Sequence, residues 1–383
     1  MVKNKNLFMS LIAVYGAGFA QGSVFVLIPS LGKILTAPPY SFTSSSYGIL
    51  YLPEIAGAVL GALGSGILHS KYGAKGVFRL GIIANFLAMI LLTSAAFSKG
   101  HSAYIFILAE TLFLGIGFGF TLAAINPYAE ALSPNHAAEA ITILNGLIGG
   151  ATAVSPLVLH TVSAWNWGLW PAFLAVLLML LLLFPLPSLK RQINAAGFWD
   201  RKLFLIFTAV LIYAVCEGTY GSWANVYVTS IKKGSAYQGA IALSAFWGFM
   251  TVFRFIFAFV SDRLISQRTL YLFSSLGIGA CFFILPYCSS PVILIAVFSL
   301  AGACCSIYYP FSMSYGLGVY PDKQTQLAGL LVAGLMIGEG IGSFAPGPLQ
   351  SFLPLSRIYL ASSLWVIPLF FLARSISRES AAK

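Results

Sequence analysis

Apolar runs of about twenty residues, repeated along almost the whole chain, constrain its fold more than any other feature. A helix needs about 20 apolar residues to cross the hydrocarbon core of a bilayer. Runs of that length lie at 7–30, 47–69, 76–97, 102–125, 138–161, 167–186, 203–230, 236–261, 269–288, 291–319, 325–350 and 355–374. The expectation is an all-α membrane protein with twelve transmembrane helices. Of 383 residues, 59% are hydrophobic and 8% charged, whereas soluble domains carry roughly 25% charged residues. That excludes a soluble globular fold and leaves no room for a soluble catalytic domain, so the chain is not expected to be an enzyme. The net charge of +11 does not point to nucleic acid, because the charges sit in short gaps between apolar runs.

Those gaps also orient the chain, since cytoplasmic loops are enriched in Lys and Arg. With the N-terminus inside, fifteen basic residues fall on the cytoplasmic side and five (Lys33, Lys99, Lys232, Lys233 and Arg357) outside. Both termini are then cytoplasmic. The first run follows Lys3 and Lys5, is longer than a signal-peptide core and lacks an A-x-A-like cleavage site, so it reads as an uncleaved first helix. The longest polar break, 187–202, divides an N-terminal half (1–186) from a C-terminal half (203–383), each with six runs. Two parallel repeats of six helices are a common transporter plan, with the solute site near the midplane.

Five charged residues stand inside apolar runs: Glu54, Glu110, Glu217, Arg254 and Glu339. Each costs about 2.5–3.5 kcal/mol at the bilayer centre on insertion scales. They must face protein or water, and a carboxylate can also take up a proton. Arg254 cannot shed its charge and needs a partner. At 1.5 Å per residue, Glu217 and Glu339 each come out roughly 21 Å from the cytoplasmic end of their runs. Glu54 and Glu110 lie in the outer third, and Arg254 toward the cytoplasm. All four carboxylates are proton-coupling candidates, Glu217 first and Glu339 second. A buried ion pair that only fixes helix packing is the alternative at every one.

Around Glu217 the sequence reads CEGTYGSWANVYV, from Cys216 to Val228. Tyr220, Trp223 and Asn225 there suit a hydroxylated solute through ring stacking and hydrogen bonds. An interfacial belt is the other reading for Trp223 and Tyr227. Gln21, Asn126, Asn145 and Trp247 complete the solute-binding candidates. Gln21 is fourteen residues past Leu7, the offset that separates Glu217 from Leu203. Close packing of small residues accounts for GIGFG (Gly115–Gly119) better than a nucleotide loop does. APGP (Ala345–Pro348) is expected to break the eleventh helix near its outer end. The five cysteines show no metal-ligand spacing and read as small core residues; the four histidines lie at membrane edges.

Two loop motifs carry a resemblance. GILHSKYGAKG (Gly66–Gly76) follows the second run, and AFVSDRLISQR (Ala258–Arg268) the eighth. The chain resembles the major facilitator superfamily, whose G-x-L-x-D-R-x-G-R-K loop these segments partly match. Ser70 replaces the acid of the first copy, and Ile265 a glycine of the second. The resemblance implies the two-bundle fold of that family and an inner gate built from Lys71, Lys75, Arg254, Asp262 and Arg263. It also implies that spans 1, 4, 7 and 10 line the cavity, with 3, 6, 9 and 12 facing lipid. A closer likeness is to the fucose–galactose–glucose symporter group, through SAFWGFMTVFRF (Ser244–Phe255), Asn126–Pro127 and Asn145. The acids which that group places in helices one and four are absent, with Phe25 and Leu122 in the comparable places. SPLVLH (Ser155–His160) lacks the terminal glycines of the drug-antiporter motif.

The combined expectation is a secondary active transporter whose residues call for no cofactor or metal. It imports a small polar organic solute, a sugar among the candidates, with protons by alternating access. An exporter of drugs or of metabolites such as siderophores, and a non-transporting receptor or scaffold, are the alternatives. Its partners are the solute, protons and the lipid bilayer of a bacterial inner membrane, and it is expected to be a monomer.

Overall fold

The computed structural model describes residues 2–189, 200–260, 264–320 and 324–380. Among them the helices are α1 (Val2–Phe25), α2 (Leu27–Ser30), α3 (Gly32–Thr36), α4 (Ser44–Ile49), α5 (Tyr51–Ala96), α6 (Gly100–Leu132), α7 (Ala137–Val162) and α8 (Leu169–Leu181). There follow α9 (Arg201–Val226), α10 (Ala236–Val260), α11 (Gln267–Ile284), α12 (Pro291–Val319), α13 (Gln324–Phe344), α14 (Pro346–Leu349), α15 (Leu355–Ser362) and α16 (Val366–Ser380). Ten helical stretches among the described residues are long and apolar enough to cross a membrane. One of them, Ser44–Ala96, has 53 residues, far more than a bilayer needs. It turns at Gly73, whose φ of 69° and ψ of 176° are non-helical. Only glycine takes that conformation without a Cβ clash, so the two runs expected at 47–69 and 76–97 join without a loop. Leu169–Leu181 is a shorter apolar helix.

The chain forms two compact units. The first comprises Met1–Ser30, Ala37–Ser41 and Leu50–Ile193; the second comprises Leu31–Thr36, Phe42–Ile49 and Asn194–Lys383. In the first, α5 and α6 cross at paired glycines. A Cβ on Gly57 would strike the backbone carbonyl of Leu112, and one on Gly115 the carbonyl of Glu54. Gly61 and Gly119 repeat the contact one turn along. Helices in lipid gain association from such close backbone approach, because burial of apolar surface adds little there. The expected packing role of the Gly115–Gly119 stretch is what the geometry contains.

In the second unit α9 packs on α13 in the same way, with Gly218 against the carbonyl of Glu339 and Gly342 against that of Val215. Two short stretches from early in the chain cover the end of α9. The Lys33 amide donates to Asn225 Oδ1 (3.1 Å), and the Tyr47 hydroxyl donates to the Ser222 carbonyl (3.1 Å). The Tyr47 ring stands edge-on to Trp223 at 5.1 Å. As the APGP motif leads one to expect, α13 stops at Phe344 and Pro346 opens the separate turn α14.

Asp200 starts α9. Its extended backbone and its carboxylate, accepting from the Leu203 amide at 2.8 Å, make a helix N-cap. The Tyr320 hydroxyl, at the end of α12, donates a short hydrogen bond to the same oxygen. The Leu203 amide first, and then Tyr320, hold the Asp200 carboxyl below the ordinary aspartate range. A carboxyl shifted down on folding stabilises the fold above its unfolded value and loses that contribution as pH falls through the folded one.

Three substitutions test these features. Gly115→Leu is expected to cost at least about 1–3 kcal/mol through overpacking, read as a lowered Tm or loss of the monodisperse detergent-purified protein. Gly150→Ala, whose Cβ meets nothing within 4 Å, is expected to be neutral or to stabilise by up to about 1 kcal/mol. For Asp200→Asn, the Tm difference from the native protein should be constant above about pH 5 and shrink as pH falls below about 4.

Candidate functional site

Glu217 lies on α9 in the second unit and is 5% exposed. One of its carboxylate oxygens, Oε2, is buried without a hydrogen-bond partner. Tyr213, one helical turn earlier, lies beside the carboxylate, while its hydroxyl donates to the Cys305 carbonyl at 2.9 Å. Its ring stacks on Tyr308 at 5.0 Å. Arg254, on α10, is half-buried and acts on Glu217, Tyr213 and Tyr309. Its Nη2 donates to Met250 Sδ at 3.3 Å, and its Nε is buried without a partner. Among the described residues, the one ion pair within 4.0 Å is His136–Glu139. Glu217 and Arg254 therefore lie within electrostatic reach but more than 4.0 Å apart, and each has a buried polar atom without a hydrogen-bond partner. Tyr213 and Tyr309 escaped the sequence reading, although Tyr213 stands at helical spacing from Glu217.

Glu339 sits half-buried on α13, its backbone carbonyl against Gly218. The ring residues of the Glu217 segment have partners inside the protein. Tyr220 is fully buried, donates to the Ile278 carbonyl at 2.8 Å and stacks on Phe282 at 3.8 Å. Trp223 Nε1 donates to the Ser343 carbonyl at 2.8 Å. Asn225 accepts from the Lys33 amide, and Trp247 is buried against Phe246 at 5.1 Å.

In the first unit Gln21 joins two residues that the sequence did not single out. Asn85 Nδ2, on α5, donates to Gln21 Oε1 (2.8 Å) and to Thr121 Oγ1 on α6 (3.2 Å). Gln21 and Asn85 are each 1% exposed. Asn85 had a visible signal, as a lone amide in the apolar run 76–97. Glu110 is sealed, both its oxygens without hydrogen-bond partners; Glu54 is half-buried and acts on it electrostatically. Asn126 is half-buried with Oδ1 unpartnered, and Asn145 is exposed, its amide donating to the Ile141 carbonyl. Lys71 is exposed over the Tyr72 ring at 5.2 Å, and Lys75 is half-buried just past the Gly73 bend. Asp262 and Arg263 lie outside the described residues. The described residues hold no group of three or more His, Cys, Asp and Glu placed to bind a metal.

A sequence profile of the Major Facilitator Superfamily matches residues 7–343. The chain belongs to that family. It is accordingly an integral, multi-pass membrane protein, and the family expected from the loop motifs is the one found. Among solved structures it is similar to the nucleoside transporter NupG (TM-score 0.75, 17% identity, covering 97% of this chain and 100% of that one). It is also similar to a D-xylose-proton symporter (TM-score 0.78, 14% identity, 97% of each chain). The E. coli fucose:proton symporter FucP follows at a TM-score of 0.64 with 16% identity, over 97% of this chain and 98% of that one. At these identities the likeness is one of fold.

Among curated proteins, the sodium-dependent glucose transporter 1A of Mus musculus is 28% identical over 144 residues, 37% of this chain and 32% of that protein. Multidrug resistance protein 3 of Bacillus subtilis is 23% identical over 107 residues, 28% of this chain and 20% of that protein. The chain thus spans a third or less of the length of the curated relatives it matches.

Proposed function

We propose that this transporter imports a small polar solute together with protons, by alternating access, and that Glu217 carries the proton. Dividing the long Ser44–Ala96 stretch at Gly73 and counting Leu169–Leu181 as a crossing gives twelve spans, with both termini cytoplasmic by the charge bias of the loops. The observation that carries the reading is the buried Glu217 carboxyl with an unpartnered oxygen, facing but not touching the permanent charge of Arg254. A carboxyl exposed to water on alternate sides of the membrane can take up a proton on one side and release it on the other. A potential of 100 mV supplies about 2.3 kcal/mol per charge moved, enough for more than tenfold accumulation. Glu339, Glu110 and Glu54 stand behind Glu217 as coupling residues, and Lys71, Lys75, Asp262 and Arg263 as inner-gate residues. The names of the xylose and fucose symporters support sugar and proton as cargo.

The test is uptake of radiolabelled D-xylose, L-fucose, D-glucose and uridine into proteoliposomes under an imposed pH gradient. Glu217→Gln is expected to abolish gradient-driven accumulation and leave counterflow exchange within about twofold of the native protein. Accumulation that survives in this variant removes Glu217 from coupling. Arg254→Ala is expected to lower transport or yield at least about tenfold, because it strands a buried carboxylate; normal activity would mean that the arginine reaches the inner surface without a task.

A further inference from the structure

The Gln21–Asn85–Thr121 cluster joins α1, α5 and α6 in the interior of the first unit. Asn85 spends both amide hydrogens on Gln21 and Thr121, yet its Oδ1 is buried with no donor. The amide nitrogen of Gln21 is likewise buried with no acceptor. Turning both amides over keeps a hydrogen bond between them and again leaves one N–H group and one carbonyl oxygen open. The imbalance therefore does not depend on which way the amides point. A buried polar atom without a partner costs about 1–3 kcal/mol, and the two here have opposite needs.

Two glycines leave room for these groups. A Cβ on Gly117 would sit 2.5 Å from Asn85 Oδ1, and one on Gly81 2.6 Å from Thr121 Oγ1. No charged side chain belongs to the cluster. An ion would gain neither a counter-charge nor a full set of ligands from it, whereas a hydroxyl is donor and acceptor at once and so matches the two open atoms in kind. It accepts from the Gln21 amide and donates to Asn85 Oδ1.

We infer that Gln21 and Asn85 dock one hydroxyl of a neutral solute, with Thr121 as the residue that positions Asn85. The inference rests on the carrier reading above and adds the chemistry of the cargo: uncharged at this point and bearing at least one hydroxyl. A lone water meets the same donor and acceptor, and the experiment separates the two sources.

The experiment uses the full-length detergent-purified protein and reads Kd from the saturable rise in Tm, since a ligand that binds the folded state stabilises it. The probes are D-xylose, L-fucose, D-glucose and uridine, each beside its singly deoxygenated counterparts. One probe or more is expected to bind, and removal of one particular hydroxyl to weaken it about tenfold. Gln21→Met and Asn85→Leu are expected to weaken the parent probe to the level of that deoxy compound and to be insensitive to the same deletion. If neither variant purifies as a monodisperse species, the deoxy series on the native protein decides. The inference is overturned if no probe binds the native protein, if no single hydroxyl changes Kd by more than about twofold, or if both variants bind every probe as the native protein does. The last two outcomes would mean that a resident water alone serves the pair. Gradient-driven uptake lost in Glu217→Gln beside probe binding indifferent to Gln21 and Asn85 would sink this inference and leave the coupling reading standing. Hydroxyl-dependent binding at Gln21 and Asn85 without any flux would do the reverse.

Discussion

A backbone carbonyl pressed against a glycine of the neighbouring helix is the contact on which both units depend. Gly22 of α1 meets the Ile148 carbonyl of α7, and Gly218 of α9 meets the Glu339 carbonyl of α13. Gly115 of α6 meets the Glu54 carbonyl of α5, and Gly302 of α12 meets the Phe246 carbonyl of α10. The first and third of these lie in the first unit, the second and fourth in the second. They pair in chain order as a parallel repeat does. Gly22 and Gly218 are 196 positions apart, and so are Gln21 and Glu217. The correspondence first noticed from helix ends therefore has a second basis, independent of where any helix is taken to begin.

With the helix spacing fixed by these contacts, the residue before the glycine receives an equivalent position in each unit and a different chemistry. Gln21 is neutral and finds neutral partners in Asn85 and Thr121. Glu217 carries a titratable group and finds Arg254 and Tyr213. A close, hydrogen-bonded ion pair in such a site would hold both charges and resist exchange, because breaking it leaves an uncompensated buried charge. Electrostatic reach without contact compensates the charge less and leaves the carboxylate available. That suits the proton-carrying role proposed for Glu217.

Much of this could be read before any coordinates. Spans are legible because lipid demands length and apolarity together, and Glu54, Glu110, Glu217, Arg254 and Glu339 are legible because a charge in such a run is costly. The break at Ala345–Pro348 is local backbone chemistry. Thr121 was not legible, since a neutral polar side chain costs little in a helix, and although Asn85 stands out as a lone amide and Tyr213 by its spacing from Glu217, their partners lie far away in sequence. Tyr220 and Trp223 show the same limit from the other side. Helical spacing groups them with Glu217, but the carbonyls that take their protons belong to Ile278 and Ser343. No pattern within α9 could have named those acceptors. The association of Leu31–Thr36 and Phe42–Ile49 with the second unit likewise rests on Tyr47 and Lys33 reaching the end of α9.

The surroundings of the carboxylates also argue for a division of labour. Glu110 has Glu54 within electrostatic reach and no hydrogen-bond donor on either oxygen. Two negative charges side by side in a low-dielectric interior repel strongly, and the Gly57 and Gly115 contacts prevent α5 and α6 from spreading to relieve them. Such a pair is held to a narrow range of charge by its own geometry. Glu217 has a fixed positive charge in reach in place of a like one. That difference is the reason the coupling role proposed above goes to Glu217 rather than to the more deeply sealed Glu110.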